Sequence, residues 1–217
     1  DTRTEIVEMY RRMHIPYTDG KEPAFPPISI NTVYYLPGFI PPVYPKEIGG
    51  LRLKKNGLFL LNNIHFGPSN ADLVDSSYIN VFFRKEKVKR PLQEAQLGTF
   101  GISKIEPELI IPANEIKTFY TAKRFEKPIS ILSVNPHMHL LGKSFLAYAV
   151  NPAGDTIPLI RINKWNFRWQ YYYTFRNPVK IPAGSVIHVF GTFDNTGKNP
   201  DNPYHPPRTI TQGDGIE

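Results

Sequence analysis

His137 and His139 are the residues whose type and spacing are best suited to chemistry in this chain. They stand in Asn135-Pro136-His137-Met138-His139-Leu140-Leu141-Gly142-Lys143, behind the apolar run Ile129-Ser130-Ile131-Leu132-Ser133-Val134. Such a run reads as a strand, and side chains at i and i+2 of a strand leave the same face. Both imidazoles then reach one point in space, which is how a zinc, copper, iron or nickel site begins. The same spacing also suits two hydrogen-bonded histidines near a strand end.

The other histidines are less pointed. His65 closes the apolar run Leu58-Phe59-Leu60-Leu61-Asn62-Asn63-Ile64 and is followed by Phe66-Gly67, where the chain must turn. Taken alone it reads as a hydrogen-bonded strand-end residue. His188, in Val186-Ile187-His188-Val189-Phe190, reads as a satisfied strand residue or as a partner that orients a metal ligand. His205 lies in a turn-rich Asn/Pro loop and is expected in solvent, and His14 at the surface. Together with Asp194, His188 and His205 are the residues available to complete a degenerate site. Cysteine is absent, which excludes disulfides and thiolate ligands and leaves imidazole, carboxylate and thioether as donors.

The elements that must hold these side chains are short strands. Twenty-two prolines and fifteen glycines cut the chain into brief segments, which disfavours long helices and favours an all-β sandwich. One short N-terminal helix is expected over Arg3–Met13, from Ile6, Met9, Tyr10 and Met13 at helical spacing, with Pro16 blocking its extension. Strands are expected at Leu58–Phe66 and Tyr78–Phe83. After a polar stretch at 91–98 they recur at Leu109–Ile111, Glu115–Ala122, Ile129–Leu140, Phe145–Asn151, Thr156–Ile162, Trp165–Phe175, Pro178–Ile181 and Val186–Phe193. This spacing is that of an antiparallel sandwich. The polar stretch divides the chain into 1–94, an incomplete first sandwich, and 95–217, a second one. The alternating rings Trp165, Phe167, Trp169, Tyr171 and Tyr173 suit base or sugar stacking, but more simply form the buried face of a sandwich strand.

Bulk properties remove other function classes. The net charge of +7 is scattered. Its one dense run, Arg84-Lys85-Glu86-Lys87-Val88-Lys89-Arg90, reads as a charged edge or loop that discourages sheet-to-sheet pairing, so nucleic acid is not an expected partner. No apolar run reaches transmembrane length and no signal peptide stands at the start. The chain starts at Asp1 and reads as a piece of something longer. A hydrolase is disfavoured, because Ser133 and Ser144 lie near the histidines without a Gly-x-Ser-x-Gly elbow, and there is no Gly-rich phosphate loop.

The run Asn135 to Phe145, behind its apolar strand, resembles the second-domain copper motif of the copper type II, ascorbate-dependent monooxygenases, the family of peptidylglycine α-hydroxylating and dopamine β-monooxygenases. There a His-x-His pair followed by Leu-Gly-Lys supplies two ligands of the oxygen-activating copper. Leu60-Leu61-Asn62-Asn63-Ile64-His65-Phe66-Gly67 is similar to the first-domain strand that carries one histidine of the electron-transfer copper. Ile110-Ile111-Pro112-Ala113-Asn114-Glu115 and Phe193-Asp194-Asn195-Thr196 are similar to the bacterial branch. The resemblance runs from about Pro37 onward.

The resemblance implies two jelly-roll-like antiparallel sandwich domains, with copper held by His137 and His139 at one site and by His65 at another. It implies an oxidoreductase that hydroxylates a C–H bond with O2. Its substrate would be a small molecule or peptide, and an external reductant, ascorbate in the animal members, would supply electrons. Lys143 and Asn135 would fix the ring tautomers. Export to the periplasm or cell surface is the expected location. Two departures stand beside it: no His-His dipeptide occurs, and Met is found only at positions 9, 13 and 138. Met138 alternates to the face opposite the histidines. Either the missing ligands lie beyond both ends of this sequence, or the chain is a non-catalytic β-sandwich binding module with structural histidines or a degenerate metal site.

Overall fold

The computed structural model describes residues 48–50, 70–72, 74, 76, 78–86, 88–90, 92–99 and 102–211, all within the compact unit Tyr35–Glu217. The helix expected over Arg3–Met13, the strand ending at His65, and His14 lie outside the described residues. Those residues are nearly all β, with one 3-10 turn and no longer helix. No helix among them is long and apolar enough to cross a membrane.

In chain order the strands are β1 Ile105–Glu106, β2 Ile110–Ile111, β3 Ile116–Phe125, β4 Ile129–Val134, β5 Gly142–Val150, β6 Thr156–Ile162, β7 Tyr173–Ile181, β8 Ser185–Asp194 and β9 Ile210–Thr211. The 3-10 turn, Phe167–Trp169, interrupts the link from β6 to β7. Every strand pairing is antiparallel. β1-β3-β8-β5-β6 form one five-stranded sheet, while β4-β7 and β2-β9 form two small ones.

Period-2 alternation explains how the sheets stack. The large sheet sends Ala149 and Ile187 inward, where they meet Ile181 of β7, with Ile129, Ile131 and Val179 of the β4–β7 pair packed around them. At its other end Phe119 and Phe193 meet Ile111 of β2, Ile210 of β9 and Leu141. The result is a β-sandwich whose inner face is shared by two small sheets. The opposite face of the large sheet carries Tyr120 beside Phe190 and Tyr148 beside His188, as cross-strand neighbours.

Polar groups close the layers. Asn195 is fully buried, and its amide nitrogen donates to the carbonyls of Ile111, Pro112 and Arg208 at 3.1, 3.0 and 2.8 Å. Its oxygen accepts from Asn202 Nδ2 at 3.0 Å. One side chain thereby ties the end of β8 to β2 and to the chain entering β9, and satisfies carbonyls that would otherwise be buried without donors.

Several expected strands are shifted. Thr156–Ile162 matches β6 at both ends, and Pro152-Ala153-Gly154-Asp155 forms the β5–β6 hairpin turn, with Gly154 at φ +91°. The strand expected to run to Leu140 stops at Val134. The strand expected from Trp165 begins only at Tyr173, and the residues before it form the 3-10 turn and its flanks. Residues 78–83 form no strand, and Phe82 and Phe83 are exposed. The basic run after them is largely exposed too, with an isolated bridge from Arg90 to Ile48.

Candidate metal centre

Pro136 ends β4. It has no N–H to give to a ladder, and it restrains Asn135 before it to extended backbone. From here the chain leaves the small β4–β7 sheet and crosses to β5 of the large one. Alternation persists outside either sheet: Pro136 and Met138 are buried, while His137 is exposed and His139 half-buried. The expected convergence of the two imidazoles therefore holds on a crossover segment rather than on a strand.

The Nε2 atoms of His137 and His139 face one another at 3.2 Å, with the rings 80° apart and their centroids at 5.1 Å. Without a metal, one ring donates an N–H to the other. The separation is also the chord subtended at one ion. With nitrogens at about 2.0–2.1 Å from a zinc-like metal, it corresponds to an angle of about 100–106° at that ion, close to tetrahedral. The pair thus fits a transition ion without moving. Although His137 as a residue is open to solvent, protein crowding its ring pushes its pKa below the usual imidazole value, and the charge on a protonated His139 pushes it further the same way. Both causes favour the neutral form that binds metal.

Both ends of the segment are pinned. Asn135 Nδ2 donates to the carbonyl of Tyr171 at 3.0 Å and reaches that of Gln170 at 3.5 Å. The Gly142 amide donates to the His139 carbonyl at 3.0 Å, and the Asp194 amide to the Leu141 carbonyl at 2.7 Å. Lys143 Nζ pairs with Asp194 Oδ2 at 2.8 Å. Burial raises the pKa of Asp194, but the hydrogen bonds from Lys143 and Thr196 and the Lys143 charge outweigh it, so the net displacement is downward. Trp165 packs where a side chain on residue 142 would lie, and its amide donates to the Lys143 carbonyl at 2.8 Å. Its Nε1 is buried with no acceptor among the described residues.

These contacts correct the roles expected of Asn135 and Lys143. Neither is shown hydrogen-bonded to an imidazole; they fasten the backbone on either side of the pair. Met138 points inward as expected, with its Sδ 3.3 Å from where a Cβ on Gly191 would stand, so it cannot join the histidines. His188 is occupied elsewhere, its Nδ1 at 2.7 Å from Tyr120 Oη and its ring stacked on Tyr148. His205 is exposed in its loop. No group of three or more His, Cys, Asp or Glu suited to a metal occurs among the described residues, so neither these histidines nor Asp194 completes the site. His65 lies outside the described residues.

Phe167 was not foreseen as part of this region. It meets the His139 ring edge-on, with centroids at 6.0 Å and planes at 90°. The aromatic stripe is thus no sandwich strand. Trp165 is 7 % exposed, but Trp169 is 60 % exposed and stands in a T-shaped contact with Tyr171. The one sequence signal was Asn166, which caps the 3-10 turn by accepting from the Arg168 amide at 2.9 Å.

No curated protein matches the chain. The match to a family model begins at residue 98, so it leaves out the first-domain likeness around His65 and takes in β1 through β8, the crossover and both of its histidines. Over residues 98–202 the chain matches the family model of the copper type II ascorbate-dependent monooxygenase, C-terminal domain.

Proposed function

We propose that residues 98–202 form the oxygen-activating domain of a copper-dependent monooxygenase, with His137 and His139 as two ligands of a copper ion. The facing Nε2 atoms at 3.2 Å carry this reading. The match over 98–202 to the copper type II ascorbate-dependent monooxygenase C-terminal domain supports it. Copper bound there supplies activation of O2 for hydroxylation of a substrate C–H bond, with electrons from an external reductant.

The protein's own contribution is positional. Pro136 and Met138, buried beneath the segment, turn both rings outward. Burial of its ring and the neighbouring His139 hold the pKa of His137 below the usual imidazole value, which favours the neutral ring that can bind metal. The Asn135 and Lys143–Asp194 anchors hold the pair's separation before metal arrives, which lowers the ordering cost of binding. A thioether or other third ligand, the second copper anchored by His65, and export to the periplasm or cell surface belong to this reading as proposals.

A competing reading, a binding module with structural histidines, draws on the same 3.2 Å contact as an ordinary hydrogen bond. Copper titration followed by calorimetry separates the two. Saturable binding lost on His137→Ala and on His139→Ala is expected. Heat no different from that of the double variant would leave only the structural reading.

A further inference from the structure

The outer face of the large sheet carries a group of rings that the copper reading does not use. Tyr120 of β3, His188 and Phe190 of β8 and Tyr148 of β5 stand on three adjacent strands, all half-buried. Tyr120 Oη lies 2.7 Å from His188 Nδ1. The Tyr148 ring stacks on His188 with centroids at 5.2 Å and planes 24° apart, and Phe190 lies 4.8 Å from the Tyr120 ring. Burial, then the charges of Tyr148 and Glu106, push the Tyr120 pKa above the usual phenol value. At neutral pH the phenol therefore keeps its proton and donates it to Nδ1 of a neutral His188.

A phenol that keeps its proton resists oxidation, because losing an electron alone leaves a strongly acidic radical cation. A base already in hydrogen-bond contact takes that proton in the same event, and 2.7 Å is within reach for the transfer. Imidazole is suited to the task, since it gains and loses a proton near neutral pH. The face of Tyr148 stacked on His188 favours the imidazolium that results. We propose that Tyr120 and His188 form a proton-coupled redox site, which yields one electron to a strong one-electron oxidant such as an oxidised metal complex. Tyr120 loses the electron, the oxidant gains it, and the phenolic proton crosses to His188 Nδ1. A neutral phenoxyl radical and an imidazolium remain. An external one-electron reductant returns the electron, the proton goes back, and the phenol is restored. This site goes beyond the copper reading and stands without it.

The test uses the metal-free full chain carrying Trp169→Phe, which removes an exposed indole as a competing electron donor. A laser flash generates tris(bipyridine)ruthenium(III) as the oxidant. Transient absorption follows phenoxyl formation, and a nitroso spin trap with peptide mass spectrometry locates the radical. The trap should mark Tyr120, formed in a fast phase that slows in heavy water. Tyr120→Phe should remove that phase, and His188→Gln should slow it about a hundredfold, the usual contribution of a positioned base. Circular dichroism should be unchanged in both. Trapping chiefly at other tyrosines, or a Tyr120 phase as fast in His188→Gln as in the parent, overturns the inference. If Tyr120→Phe does not fold, the trap position and the His188→Gln rate decide alone. The copper reading is judged separately by its titration, since no metal is present here.

Discussion

Gly142 and Trp165 compete for one volume: a Cβ on Gly142 would stand 2.5 Å from Trp165 Cδ1, 2.8 Å from its Nε1 and 3.0 Å from the His139 carbonyl oxygen. Two of the three obstacles belong to a buried, rigid ring and the third to backbone. Gly142→Ala must therefore displace the tryptophan or the histidine segment. A loss of about 1–3 kcal/mol is expected, the usual cost of overpacking. Urea unfolding followed by tryptophan fluorescence checks it, and an unchanged midpoint would show that the ring moves freely.

The imidazole pair should matter for metal and little for the apo fold. His137→Ala and His139→Ala each remove a hydrogen bond with one partner exposed, worth about 0.5–1.5 kcal/mol. Copper at a hundredfold excess over its dissociation constant should stabilise the parent protein by about 2.7 kcal/mol. Melting curves with and without copper read both effects, and the upward shift should vanish in either variant.

Acid should loosen the anchor at Asp194. Its folded-state pKa lies below the unfolded value, so its contribution is complete above that unfolded value, about 3.9, and is lost as pH falls through the lower, folded-state one. Asp194→Asn should flatten this part of the pH–stability curve and cost about 1–3 kcal/mol at neutral pH by removing charge-assisted bonds to Lys143 and Thr196. Denaturation midpoints across acid and neutral pH compare the two proteins. Parallel curves would count against the carboxylate.

Asn195→Ala should be the most damaging of these changes, at about 3 kcal/mol or more. It strips donors from three carbonyls and removes the acceptor of Asn202 at a fully buried position. Thermal unfolding is the measure, and a drop of only a degree or two would mean that water replaces the amide.

The sequence disclosed the sandwich and the facing histidines for the same reason: both follow from a period of two. That rule also misled. Apolar alternation changes phase at the irregularity between Ile131 and Ser133 and then runs on through Val134, Pro136 and Met138, yet hydrogen bonding stops at Val134, because Pro136 cannot pair and the chain changes sheets. Alternating rings from Trp165 to Tyr173 imitate a strand, but Asn166 captures the Arg168 amide and starts a turn instead. The Lys143–Asp194 pair spans 51 residues and depends on β5 lying beside β8, which no local pattern reveals. The Phe167–His139 contact likewise needs the turn to fold back on the crossover.

The histidine-bearing segment belongs to neither layer, since it is strung from the end of β4 in one to the start of β5, an interior strand, in the other. Because its two ends are fastened to different layers, a shift of one layer against the other should reach the gap between the nitrogen tips. Substitutions deep in the packing, at Ala149 or Ile181 for instance, should therefore retune metal grip from a distance, leaving every liganding atom chemically untouched.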